Sequence, residues 1–143
     1  MRRILSLLIL ATLVACGGSD GTSPTQTQGK SFTGTYVLQT VNGKPLPVTY
    51  TFANGNYLTI RSYRLSIAAG GNWTSTTSTI SSTDGQVLDQ PNGGQSGSYS
   101  YDAPTKSVSL ISQDLSTVLS GSVSADFTTL TVSDGVDIFV FTK

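Results

Sequence analysis

The chain has 143 residues, a formal net charge of zero and charged side chains at only 11% of its positions. It contains 21 serines, 21 threonines and one cysteine, but no histidine and no glutamate. The lack of histidine excludes His-based triads and dyads, and the single cysteine excludes an internal disulfide and ordinary structural zinc. Because phosphate neutralisation needs clustered Lys and Arg, the composition also argues against nucleic acid as a partner.

The first 15 residues have the layout of a secretory signal. Arg2 and Arg3 precede an apolar run, residues 4–14, which is shorter than the roughly 20 apolar residues that span a bilayer. The run ends in Leu13-Val14-Ala15-Cys16, which resembles the lipobox of bacterial lipoproteins. This resemblance implies removal of residues 1–15, acylation of Cys16 and anchoring in a membrane of the bacterial cell envelope. The alternative is an ordinary signal peptide followed by an accidental cysteine.

The residues after the cysteine indicate a tether. Gly17 stands where an Asp retains enterobacterial lipoproteins in the inner membrane, so similarity to those signals favours the outer membrane. Residues 17–31 contain no large apolar side chain and cannot bury enough surface to offset the entropy lost on ordering. We therefore predict a signal peptide over residues 1–15, a lipidated cysteine and flexible tether over residues 16–31, and one folded domain over residues 32–143.

The folded domain is predicted to be all-β. β-Branched and aromatic residues are abundant, no window has helical spacing, and short alternating runs are separated by turn residues. Nine strands are predicted, with a long polar loop over residues 82–96; they cover residues 33–41, 46–52, 57–68, 73–82, 97–102, 107–112, 118–124, 127–132 and 136–142. The short links favour a single antiparallel up-and-down β-barrel of eight or nine strands, in which closure removes exposed sheet edges.

Two of these strands carry a finer signal. In the third, the apolar positions change from even numbers at Leu58 and Ile60 to odd numbers from Tyr63 onward. Since a strand keeps one parity on each face, the change predicts a β-bulge or bend at residues 61–62. The last strand, residues 136–142, is apolar at consecutive positions, which predicts that it is covered on both faces.

The start of the domain resembles a known family. Gly34-Thr35-Tyr36-Val37-Leu38 followed by Val41-Asn42-Gly43-Lys44-Pro45-Leu46-Pro47 is similar to the opening of lipocalin-like bacterial lipoproteins, whose first strand carries a Gly-x-aromatic signature. The chain has Tyr36 where true lipocalins have Trp, and no helix can be predicted beside the barrel. The resemblance implies a lipocalin-like or calycin-like barrel, for which binding a small apolar molecule is the common use.

Two functions follow as hypotheses. The first is a non-catalytic envelope lipoprotein that binds a small apolar or amphiphilic ligand in the barrel mouth, lined by Tyr36, Trp73, Tyr99 and Phe139. The alternative is a structural or protein-interaction lipoprotein, an envelope factor or protease-inhibitor-like protein, whose barrel is filled by side chains. Neither hypothesis requires a cofactor or a metal. An enzyme is not expected, because no Ser-x-x-Lys occurs and Gly94-Gln95-Ser96-Gly97 is followed by Ser98, so it does not complete a Gly-x-Ser-x-Gly motif.

Other candidate residues have plainer explanations. Asp84 with Asp89, and Asp134 with Asp137, could offer oxygens to calcium, but Asp-Gly pairs are also ordinary turn residues. Arg61 and Arg64 could bind a carboxylate or phosphate group, or could simply project into solvent from a strand.

Replacing Cys16 with Ala is expected to release the protein from membranes, because the thiol is the predicted site of acylation. The measurement is the distribution of the chain between membrane and soluble fractions. Replacing Ser19 with Ala leaves the lipobox intact and should leave the chain with the membranes. Continued membrane fractionation of the Cys16→Ala variant would contradict the lipobox interpretation.

Overall fold

The computed structural model describes residues 31–143, in which all regular structure is β. Cys16, the predicted signal and the predicted tether up to residue 30 lie outside this described part. Within it, no helix is long and apolar enough to cross a membrane. The strands are β1 Gly34–Val41, β2 Lys44–Pro45, β3 Val48–Thr51, β4 Tyr57–Ile67, β5 Asn72–Thr83, β6 Gln86–Gly93, β7 Ser96–Asp102, β8 Ser107–Ser112, β9 Val118–Val123, β10 Thr129–Ser133 and β11 Ile138–Thr142.

Eight of these strands close an antiparallel barrel. Around the barrel they follow the order β1, β11, β10, β9, β8, β7, β5, β4, and β4 pairs back with β1. Strands that are consecutive in this set are also neighbours in space, so the barrel is of the up-and-down type that the sequence predicted. Because every barrel strand finds its partners within residues 31–143, this segment contains the pairing that it needs to fold by itself.

The β4–β5 hairpin is longer than the barrel requires. These strands have 11 and 12 residues, against five to eight in the other barrel strands. Only residues 64–67 of β4 pair with β1, and β3 pairs with residues 57–60 of the same strand. On the other side, β7 and β6 divide the edge of β5 in the same way. The hairpin therefore carries a four-stranded extension, β3-β4-β5-β6, beyond the barrel rim.

The extension corrects two sequence predictions. The second predicted strand, residues 46–52, is not a barrel strand, since β3 pairs only with β4. The predicted loop over residues 82–96 contains β6, which pairs with β5. The signal for this hairpin was Asp84-Gly85, both of which have positive φ, as a tight two-residue hairpin turn requires. The run of polar and glycine residues after it lacks the apolar alternation that identifies a strand.

The predicted bulge in β4 is confirmed. Its pairing with β5 runs regularly to Ile60 and resumes at Ser62, so Arg61 is the extra residue. The bulge changes which parity faces inward. As a result Leu58 and Ile60 lie on the same side of the sheet as Tyr63, although their numbers differ in parity.

One end of the barrel is filled by aromatic side chains. Phe32, just before β1, is 5% exposed; its ring stacks on Tyr101 at 4.9 Å and meets Tyr99 edge-on at 5.3 Å. The Tyr36 hydroxyl donates hydrogen bonds to the carbonyls of Phe32, at 2.9 Å, and Phe127, at 3.3 Å. These contacts close the end at which residue 31 enters the barrel, and we call it the closed end.

The two faces of the last strand, β11, differ in burial. Phe141 is fully buried, and Phe139 packs against the core. Ile138 is 50% exposed on the opposite face, so the prediction that this strand is covered on both sides is wrong at that residue. The reason is that both faces of the strand are apolar, whereas a single-layered barrel buries only its interior.

Two turns at opposite ends of the barrel have the same construction. They are residues 112–117, between β8 and β9, and residues 124–129, between β9 and β10. In each, the Asp carboxylate accepts a hydrogen bond from the hydroxyl two positions before it, at 2.6 Å, and from the hydroxyl two positions after it, at 2.8 Å. The apolar residue that follows the Asp has positive φ, 57° at Leu115 and 58° at Phe127. The chain thus uses one Ser-x-Asp-apolar-Ser/Thr-Thr turn twice.

Replacing Gly121 with Ala should destabilise the barrel by about 2 kcal/mol, the usual order for overpacking. A Cβ at Gly121 would lie 1.9 Å from the carbonyl oxygen of Thr131 on β10, and backbone cannot move aside easily. The test is urea unfolding of residues 17–143, which we call the unanchored chain. The neighbouring Ser122→Ala change, at an exposed position, should have an effect below about 0.5 kcal/mol. Equal stabilities for the two variants would refute the close approach.

Candidate functional site

A cavity of about 630 Å³ lies at the end of the barrel opposite Phe32. We call this the open end; here β1 finishes, β11 begins, and the β4–β5 extension rises beyond the rim. The lining residues come from the inner face of the barrel, the extension and the loops at this end. The cavity is therefore a cup whose floor is the barrel core and whose tallest wall is the extension.

The walls of the cup differ in polarity. The apolar wall consists of side chains from the barrel and from β4, namely Leu38, Leu58, Ile60, Leu119 and Phe139. The polar wall consists of Ser75, Thr77 and Thr79, which alternate along β5 on the face that carries the buried Trp73 further down. An apolar wall facing a row of hydroxyls suits a ligand that is partly apolar and partly polar.

The rim of the cup is polar and includes close backbone packing. Gln90, Gln95 and Thr117 line it from three different segments. Gly94 belongs to the same rim, and a Cβ there would lie 2.4 Å from the carbonyl oxygen of Ser75. The backbone amide of Gln95 donates to the Ser75 hydroxyl at 3.0 Å, which holds the segment between β6 and β7 against β5.

Asp134 is the one charged side chain among the residues that line the described cavity. Its Oδ1 accepts hydrogen bonds from the backbone amides of Val136, at 2.9 Å, and Asp137, at 2.8 Å. These bonds, led by that from Asp137, lower the pKa of Asp134, so the carboxylate is ionised at neutral pH. The cup therefore has a fixed negative charge at its mouth.

The neighbouring charged groups are engaged elsewhere. Both carboxylate oxygens of Asp137 accept hydrogen bonds, from the Asn42 side chain at 2.5 Å and from the Tyr50 hydroxyl at 2.9 Å. Burial and this bond raise the pKa of Tyr50 to about 12. Arg61, the bulged residue of β4, forms an ion pair with Asp89 on β6. The pair fastens the extension together and neutralises the cation.

Only one of the four aromatic residues predicted to bind ligand lines this cavity. Phe139 does so, whereas Tyr36 and Trp73 are buried in the core at 0% and 1% exposure. Burial raises the pKa of Tyr36 to about 12, and the Trp73 indole donates to the carbonyl of Ser98 at 3.0 Å. Tyr99 donates to the carbonyl of Ala68 at 2.9 Å and packs on Phe32. Tyr36 and Tyr99 thus help to fill the closed end.

The sequence prediction missed the aliphatic lining because the pattern does not say which end of a barrel is filled. Leu38, Leu58, Ile60 and Leu119 look like ordinary core residues in the sequence. The bulge at Arg61 was the available signal, since it turns Leu58 and Ile60 toward the interior.

Most of the other acidic and basic candidates have hydrogen-bond or ion-pair partners. Within residues 31–143, no three His, Cys, Asp or Glu side chains are arranged to hold a metal ion. Asp89 pairs with Arg61, Asp134 accepts hydrogen bonds from the amides of its own turn, and Asp137 accepts from the distant Asn42 and Tyr50. Arg64 is exposed on β4.

The open end also carries exposed apolar side chains. Leu115 is 75% exposed and Val136 is 87% exposed, on the β8–β9 and β10–β11 loops. In the equivalent turn at the closed end, Phe127 packs against the core beneath Lys106, whose Nζ lies 4.6 Å from the ring centroid. The same turn therefore supplies a core residue at one end of the barrel and a surface residue at the other.

No protein-family model, curated protein or solved structure matches the chain. The fold and the cavity together define a small up-and-down β-barrel that is filled at one end and has an amphipathic cup at the other.

The stability of the open end should depend on pH through Asp114. Hydrogen bonds from the Ser112 and Ser116 hydroxyls lower the pKa of Asp114 from 3.8 to about 2. A carboxylate whose pKa is lower in the folded state than in the unfolded state stabilises the fold at pH values above its ordinary pKa. This stabilisation is lost as the pH falls from about 4 toward 2. The free energy of unfolding of the unanchored chain should therefore fall across this window, and less steeply in Asp114→Asn.

The control for this measurement is Leu115→Ala, which removes the neighbouring side chain but leaves the carboxylate and its donors in place. It should keep the wild-type pH profile. Identical profiles for wild type and Asp114→Asn would show that the turn does not retain its charge-dependent bonds in solution.

Proposed function

We propose that this protein is a non-catalytic lipoprotein of the bacterial cell envelope, anchored through Cys16 to the outer membrane, whose barrel binds a small apolar or amphiphilic molecule. The cavity at the open end is the observation that carries the proposal. Its volume of about 630 Å³ lies within the range of small-molecule pockets, roughly 300 to 1,000 Å³. Its lining combines a continuous apolar wall with a few polar groups, as such pockets usually do.

The position of the cavity in the fold supports this function. Residue 31 enters the barrel at the closed end, where Lys143 donates hydrogen bonds to the carbonyls of Ser31 and Thr33. A tether from Cys16 would therefore attach at the end opposite the cup. In this arrangement the attachment point of the tether lies away from the mouth of the cup.

The lining supports binding rather than catalysis. The hydroxyls that could act as nucleophiles in the cup are those of Ser75, Thr77, Thr79, Thr117 and Tyr63. Activation of a hydroxyl requires an adjacent base such as His or Lys, and the lining contains neither. Asp134 is tied into its turn by two backbone hydrogen bonds at the mouth, which suits a recognition role.

A second candidate is an interaction lipoprotein that acts on a protein partner through the open-end loops. The high exposure of Leu115 and Val136 favours it, because exposed apolar side chains on two loops at the same end of a barrel can contribute to an interaction surface. The candidates separate experimentally: replacing both residues with Ser should abolish crosslinking to a partner but leave small-molecule binding in the cup unchanged.

Filling the cup should abolish binding of the neutral apolar fluorophore N-phenyl-1-naphthylamine. Thr77→Trp places a large ring inside the cavity, because Thr77 lies on its polar wall. Thr76→Trp is the matched control, since the adjacent side chain is exposed and absent from the lining. We expect the unanchored wild-type chain and Thr76→Trp to enhance probe fluorescence with equal affinity, and Thr77→Trp to lose at least about tenfold in affinity.

Native mass spectrometry of the unanchored chain exported in a bacterial host complements this titration. A discrete co-purified mass that is lost on unfolding would support the proposal and identify the ligand class. Failure of the wild-type chain to bind the fluorophore, together with a bare mass from several hosts, would exclude ligand binding and favour the protein-interaction candidate.

A further inference from the structure

The side chains that line the cup favour one sign of charge on the head group of a ligand. Its apolar wall would accommodate a hydrocarbon chain, and a ligand bound there must leave any charged head group at the mouth, where solvent and polar partners are available. Among the described lining residues the mouth contains one carboxylate and no basic side chain. Arg61, on the β4 strand that forms part of the cup wall, is paired with Asp89.

Asp134 is placed to receive a donor from outside the protein. The backbone amides of Val136 and Asp137 both donate to Oδ1, so Oδ2 is the oxygen better placed to bind a ligand. Asp137, by contrast, uses one oxygen for Asn42 and the other for Tyr50. Of the two carboxylates on this loop, only Asp134 lines the cup.

The aromatic lining is compatible with a positively charged ligand. Phe139 and Tyr63 both line the cup, and an aromatic ring whose face is accessible attracts an ammonium group. The chain already uses this contact at its closed end, where the ammonium of Lys143 lies 4.9 Å from the ring centroid of Tyr36. At the open end of the described barrel, the lining contains rings and a carboxylate without a cation of its own.

We propose that the cup selects cationic amphiphiles: molecules with one hydrocarbon chain, bound against Leu38, Leu119 and Phe139, and an ammonium head group bound by Asp134. This inference rests on the proposed ligand-binding function and names its ligand class. An anionic amphiphile such as a fatty acid is disfavoured, because its head group would meet the carboxylate of Asp134 without a compensating basic side chain.

The test uses three probes that share a twelve-carbon chain and differ only in the head group. Dodecylamine, dodecanol and dodecanoate each compete with N-phenyl-1-naphthylamine for the unanchored chain at neutral pH and low salt. Dodecylamine should displace the fluorophore at a concentration about two- to fivefold lower than dodecanol, as expected of a partly exposed ion pair, and dodecanoate should be the weakest competitor.

Two variants assign the preference to Asp134. Asp134→Asn removes the charge but keeps an oxygen for the amides of Val136 and Asp137, so the amine should lose its advantage while dodecanol binding is unchanged. Asp84→Asn makes the same charge change in the β5–β6 turn, outside the lining, at a positive-φ position that Asn tolerates. This control should keep the wild-type preference for the amine.

The outcomes separate the two proposals. Equal competition by all three probes, or a preference that survives in Asp134→Asn, would overturn the selectivity for cations and leave ligand binding standing. Tightest binding of dodecanoate would also overturn it. If the fluorophore and all three probes fail to bind the wild-type chain, the proposed function itself is wrong and the selectivity falls with it.

Discussion

The pairing of β4 with β1 is the contact on which the rest of the structure depends. It closes the barrel, because the other seven strand pairs form an open meander without it. It also involves only residues 64–67 of β4, which leaves the first half of that strand free to pair with β3. Since backbone amides and carbonyls need hydrogen-bond partners, this half of β4 pairs with an additional strand, β3. The edge of β5 is divided between β6 and β7 in the same way. The tall wall of the cup is the direct consequence.

One end of the barrel is filled and the other is open because the segments that flank the strands fold inward at one end only. At the closed end, Phe32 and Phe127 reach inward and complete an aromatic cluster with Tyr99 and Tyr101. At the open end, the turn equivalent to that of Phe127 presents Leu115 to solvent, and no segment of residues 31–143 fills the space beneath it. An eight-stranded barrel is wide enough either to be packed with side chains or to hold one small ligand. This chain has both conditions, one at each end.

Because few side chains of this protein are charged, a single carboxylate without a cationic partner has a large effect on which ligands the cup favours. Of the carboxylates near the mouth, that of Asp89 is neutralised by Arg61, and that of Asp137 is bound by Asn42 and Tyr50. Asp114 is held by the hydroxyls of its own turn. Among these carboxylates only that of Asp134 lines the cavity, where it is exposed at the mouth. The preference for a cationic head group therefore comes from the distribution of partners among the acidic residues, not from net charge.

Much of the fold could be read from the sequence, because it depends on local rules. Alternation and turn residues placed most barrel strands to within a few residues, and the change of parity after Ile60 located the bulge at Arg61. The strand β6 could not be found in this way, because an exposed edge strand needs no apolar face and its sequence resembles a loop. The choice of Tyr36, Trp73 and Tyr99 as cup residues went wrong for a related reason. Aromatic residues that line a cavity and aromatic residues that fill a core have the same sequence pattern.

The sequence by itself determined the β-class, the meander order and the change of inward parity in β4, since these follow from side-chain periodicity and short connections. Only the tertiary structure decided which end of the barrel is filled, because that depends on where Phe32 and the loops fold back. It alone decided which carboxylate lines the mouth of the cup. Asp134 and Asp137 are three residues apart in one turn, and only the distant Asn42 and Tyr50 distinguish them. Contacts between residues nearly a hundred positions apart leave no trace in local pattern, and in this protein such contacts determine the chemistry of the site.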